Sequence, residues 1–125
     1  MSIVDDHIAR LRREFPQAQL EPRPDGSALV RIPDYPLPAG WNAPTTEILF
    51  LVPVGYPMAT PDTFWASDTL RLSIGSMPAN SQLNANYGGQ KPLVWFSFHP
   101  SAWNPQRDDL YTYAKLVRRR LAEAR

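Results

Sequence analysis

Residues 95–105, WFSFHPSAWNP, hold the side chains best suited to covalent chemistry in this sequence. Ser97 and His99 stand two apart, and in an extended segment such residues point to the same side. A serine hydroxyl becomes a useful nucleophile when a neighbouring base takes its proton, and histidine most often serves as that base. Ser97 is therefore the candidate nucleophile and His99 its candidate base, with Ser101, nearer Trp103, as a second candidate nucleophile. The structural alternative is an exposed strand hydroxyl at Ser97 and a histidine that only fixes the turn before Pro100. Trp95, Phe96, Phe98 and Trp103 read as core, because aromatic side chains bury large areas.

The rest of the composition narrows the chemistry. The chain has no cysteine, which removes disulfides, thiolate metal sites and thiol nucleophiles. His7 and His99 are its only histidines, so neither a metal nor a cofactor is expected. A formal net charge of +1 gives no electrostatic case for nucleic acid or an anionic membrane. No apolar run approaches a membrane span, and the opening MSIVDDHIARLRREF is charged rather than signal-like, so a cytoplasmic protein is expected. The absence of a Gly-x-Ser-x-Gly elbow disfavours a free-standing serine hydrolase. Asn84 and Asn86 could donate to an oxyanion but read as turn formers.

These residues need a scaffold, and 125 residues suffice for one domain, residues 1–125, with a core of its own. Residues 2–15 predict a helix: SIVD has the form of a capping box, Val4, Ile8, Leu11 and Phe15 share one face, and Pro16 stops it. Arg10, Arg12 and Arg13 lie away from that face. AQLEPRP, SALVRIPDY and TTEILFLVPV predict three strands, with a turn at Asp25-Gly26, and TFWASDTLRL a weaker fourth. Short links favour a four-stranded antiparallel meander. Residues 74–92, rich in Gly, Asn, Ser and Pro, predict a long loop. Asp108 or Asp109 caps a last helix running to about residue 124, with Asp108 as an alternative orienter of His99. The expected class is α+β.

That order, with two motifs inside it, resembles the ubiquitin-conjugating enzyme (E2, or UBC) fold. GYPMATPDTFW, residues 55–65, is similar to the Tyr-Pro-x-x-x-Pro element after the third E2 strand. HPSAWNP, residues 99–105, is similar to the Trp-x-Pro turn that follows the E2 catalytic position. With AWNPQRDDLYTYAKLVRRRL leading into one last helix, the sequence most resembles the bacterial proteins of prokaryotic E2 family E. It departs from the usual E2 pattern in lacking the His-Pro-Asn triplet, the catalytic cysteine and a second C-terminal helix. The resemblance implies a carrier that accepts a ubiquitin-like protein from an E1-like enzyme, held on Ser97 as an oxyester because cysteine is absent. It also implies that the first-helix face bearing Arg10, Arg12 and Arg13 docks the E1-like partner. The alternative is an inactive E2 variant that binds a ubiquitin-like protein or its E1 as a scaffold.

Overall fold

The computed structural model describes residues 2–84 and 92–125. The first helix, α1 (Ile3–Leu11), starts with the expected capping box: Asp5 N–H donates to Ser2 Oγ at 3.1 Å, and Ser2 N–H to Asp5 Oδ2 at 3.3 Å. It ends at Leu11 rather than at Pro16. Residues 12–14 turn instead, and Arg12 Nε–H donates to Ala18 O at 2.8 Å, which steers the chain towards the first strand. Phe15 keeps its place in the core, its N–H still bonded to Leu11 O.

Six antiparallel strands follow: β1 (Gln19–Pro22), β2 (Ala28–Pro36), β3 (Thr45–Val52), β4 (Phe64–Ala66), β5 (Ser81–Asn84) and β6 (Leu93–Phe96). Asp25-Gly26 makes the β1–β2 turn, with Gly26 at φ 92° and Asp25 accepting from both the N–H and the hydroxyl of Ser27. The spatial order is β1-β2-β3-β4-β6-β5. This corrects the expected four-stranded meander, because β6 enters between β4 and β5. The fourth strand also stops at Ala66, since Ser67 turns to exchange hydrogen bonds with Thr46. The expected loop over 74–92 contains β5, and its residues 85–91, Asn86 among them, lie outside the described residues.

Alternation along the strands gives the sheet two apolar faces. Val30, Ile48, Phe50, Phe64 and Phe96 point to the helix side and join Ile8, Leu11, Tyr113 and Val117 in the main core. Leu29, Leu49, Trp65 and Leu93 form a second buried cluster on the other face, with Trp95 packed against it. Arg31 occupies that face too, paired with Glu47 at 2.6 Å and Glu21 at 3.2 Å. The second helix, α2 (Leu110–Leu121), is capped by Asp109, whose carboxylate accepts from Thr112 N–H at 3.0 Å while Asp109 N–H donates to Thr112 Oγ1. Buried hydrogen bonds fix α2 against the sheet side: Tyr35 Oη–H to Ala114 O at 2.7 Å, and Trp41 Nε1–H to Leu121 O at 2.8 Å. Burial pushes the Tyr35 phenol up to about 12, so it remains a donor at neutral pH.

Candidate functional site

The backbone pairing of β6 continues beyond Phe96. Ser97 N–H donates to Asn80 O at 2.9 Å on one side, and Thr63 N–H donates to Phe98 O at 2.8 Å on the other. The chain thus stays extended through the Ser97–His99 segment, as the two-residue spacing requires. Phe98 turns inward, its ring 5.7 Å from Phe64 and 6.3 Å from Tyr113. Ser97 and His99 are both exposed, on the side opposite Phe98. Among the described residues the Ser97 hydroxyl has no hydrogen-bond partner, and no bond joins it to His99.

His99 is instead paired through Nδ1 with Asp62 Oδ1 at 2.5 Å. The expected alternative orienter, Asp108, is occupied elsewhere. Its carboxylate accepts from Asn104 N–H at 2.7 Å and from Arg107 Nε–H at 3.3 Å, closing the turn before α2. The Asn104 N–H holds Asp108 below the usual carboxylate range, with the Arg107 guanidinium assisting. Sequence reasoning missed Asp62, which lies inside TPDTF ahead of β4. Part of the signal was there: once β4 pairs antiparallel with β6, its register continued along the chain sets Asp62 opposite Phe98, one residue from His99, and the left-handed turn at Thr63 supplies the remaining shift.

The turn carrying Asp62 is held from below. Thr63 adopts φ 56°, a left-handed conformation rare for a β-branched residue. Its carbonyl accepts from the buried Tyr113 hydroxyl of α2 at 2.5 Å. Burial raises the Tyr113 pKa strongly, and the Asp62 charge raises it further. On the far side of the site, Trp103 Nε1–H donates to Pro57 O at 2.9 Å, and Trp103 packs near Tyr56 with ring centroids 6.4 Å apart. The Tyr56–Pro57 peptide is cis, and the Tyr56 hydroxyl meets His7 Nδ1 at 2.6 Å. The two sequence motifs, 55–65 and 99–105, therefore form one surface. Ser101 is exposed in the bend after Pro100, without the flanking backbone bonds that hold Ser97.

The α1 arginines are all exposed but are not equivalent. Arg10 reaches Asp109 at 3.1 Å and lies over the Tyr111 ring, Arg12 holds Ala18 O, and Arg13 has no ion pair among the described residues. Among the described residues, no group of three or more His, Asp or Glu side chains could hold a metal ion, and no helix is long and apolar enough to cross a membrane.

The family described as prokaryotic E2 family E matches this chain over residues 11–124. The chain belongs to prokaryotic E2 family E. No curated protein and no solved structure matches. The family match runs from the end of α1 to the penultimate residue, and so includes both motifs and every candidate site residue except Arg10. An E2-like role follows from membership. Chemically, the family member described here offers an exposed hydroxyl, an exposed imidazole with one nitrogen engaged by a carboxylate, and no thiol.

Proposed function

We propose that this chain is an E2-like carrier that accepts the C-terminal acyl group of a ubiquitin-like protein from an E1-like enzyme, as an oxyester on Ser97. The observation that supports this most is an exposed serine held in extended backbone two residues from an exposed, carboxylate-paired histidine, in a member of prokaryotic E2 family E that has no cysteine. In the transfer, Ser97 Oγ bonds to the activated carbonyl carbon and its proton passes to His99 Nε2. The bond from that carbon to the leaving group breaks, and the leaving group takes the proton from His99. Arg13, with Arg10 and Arg12 beside it, supplies the docking face for the E1-like partner.

The test is intact mass spectrometry after incubation with an E1-like enzyme, its ubiquitin-like protein and ATP. The expected adduct adds the mass of the modifier less one water, survives mild thiol reduction and breaks in base. Ser97→Ala abolishes it, while Ser97→Cys restores capture as a thioester, since a thiol depends less on a base. Loss in Ser101→Ala with retention in Ser97→Ala moves the acceptor to Ser101. The missing Ser97–His99 hydrogen bond favours a second reading, an inactive scaffold that binds the modifier or the E1-like enzyme. Binding of the modifier by wild-type protein, with no adduct under any condition, decides for the scaffold.

A further inference from the structure

An exposed histidine–carboxylate pair does not hold its geometry through its own attraction. Both side chains are more than half exposed, at 63% for His99 and 55% for Asp62, and solvent screens such pairs until little net stabilisation remains. The backbone supplies the order instead. Phe98 O receives the Thr63 N–H at 2.8 Å, which fixes the spacing between the two chain segments that carry the pair. The Tyr113 hydroxyl anchors the Thr63 carbonyl at 2.5 Å, from a helix otherwise packed into the core. Thr63 is left-handed at φ 56°, so the turn departs from the strand direction and points its preceding residue at His99 rather than along the sheet. A β-branched residue in that conformation marks a backbone over-determined by its surroundings, and such positions cluster at functional sites.

We infer that Asp62 is a positioning residue: its carboxylate accepts the His99 Nδ1–H, sets the imidazole in that tautomer, and leaves Nε2 as the acceptor for the serine proton. This role rests on the carrier reading above. A neutral imidazole has one donor and one acceptor nitrogen, and the bond made by one decides what the other can do. A carboxylate has only lone pairs to offer, so the nitrogen facing Asp62 carries the hydrogen. Without Asp62 the ring is free to rotate and to exchange tautomers, and the fraction with Nε2 available and aimed falls.

Long-range proton–nitrogen NMR spectra of His99, recorded at a pH where the ring is neutral, read the tautomer directly. Wild type is expected to show the Nδ1–H form, Asp62→Ala a majority of the Nε2–H form, and Asp62→Glu a return towards wild type. The rate of adduct formation is expected to fall on the order of 10- to 100-fold in Asp62→Ala, part of what a general base supplies. In a His99→Ala background, Asp62→Ala is expected to cost no further rate, because a positioning residue acts only through the residue it positions. A structural role would give an additional loss there. An unchanged His99 tautomer in Asp62→Ala overturns the inference, and so does a further loss in the double variant. Failure of wild type to form any adduct refutes the carrier reading instead, and the tautomer measurement separates the two failures.

Discussion

Replacing Tyr113 by Phe removes one oxygen from the centre of the molecule and tests the link between the core and the candidate site. Tyr113 is fully buried, and its hydroxyl donates to Thr63 O at 2.5 Å. Phenylalanine fills nearly the same space, so the loss is the hydrogen bond and the desolvation of the stranded Thr63 carbonyl, about 1–3 kcal/mol. Unfolding entropy of about 2.1 cal/mol/K per residue over 125 residues converts this to a fall in Tm of roughly 4–11 °C. Burial also raises the folded-state pKa of Tyr113. A raised pKa contributes stability that is fully present below the unfolded value of about 10 and is lost as pH rises towards the folded value. In that alkaline window one tyrosine adds a slope of about −1.4 kcal/mol per pH unit, which Tyr113→Phe should remove. Thermal melts followed by circular dichroism at neutral pH and between about pH 10 and 11 measure both effects. At temperatures where the variant is fully folded, slower adduct formation is also expected, because Thr63 no longer holds Asp62 against His99. A Tm within roughly 2 °C of wild type, with an unchanged alkaline slope, refutes the reasoning.

Three other substitutions probe separate parts of the structure. Gly40→Ala should destabilise by about 1–3 kcal/mol, because Gly40 has φ 104° and an added Cβ would lie 2.5 Å from Ala124 Cβ; Gly40→Ala with Ala124→Gly should relieve the clash but not the backbone strain, as read by denaturant midpoints. Asp108 has a lowered folded pKa, so its stabilisation is present above the unfolded value of about 3.9 and is lost as pH falls through the lower folded value. Asp108→Asn should therefore be less stable at neutral pH yet lose less on acidification, measured by urea midpoints from about pH 6 down to about pH 2. Arg13→Glu should weaken binding to the E1-like partner in titration calorimetry while changing folding stability by less than about 0.5 kcal/mol. Reversing all three α1 arginines would be a poorer probe, because Arg10 and Arg12 hold Asp109 and Ala18.

Local signals in the sequence located both helices. Ser2 with Asp5, and Asp109 ahead of an apolar stripe, are short-range instructions that do not depend on the rest of the chain. The continuous apolar TTEILFLV was likewise legible as a central strand, since it is covered on both faces. β5 was not legible, because SQLN has neither β-branched residues nor alternation and is a strand through its pairing with β6. At the site, Ser97 and His99 were visible as neighbours in sequence, whereas Asp62 lies 37 positions from His99 and is brought there by the β4–β6 pairing together with the left-handed turn at Thr63. The same limit applied to Arg10: its pairing with Asp109 depends on how α1 and α2 meet, which no local pattern encodes.

The place of β6 between β4 and β5 also sets the order in which this protein can be built. The β1–β2 hairpin turns within a few residues, and β3 joins it by a short connection, so these contacts close cheaply in chain entropy. Ser97 gains its surroundings only after β6 has returned across a long connection to meet β4, and Thr63 is anchored only when Tyr113 of α2 has docked. A chain emerging from the ribosome therefore carries a largely formed hairpin long before it has a candidate reaction centre. The turn that carries Asp62 beside His99 therefore stays without its Tyr113 anchor until the last helix has been made, and a chain cut short of α2 lacks that anchor altogether.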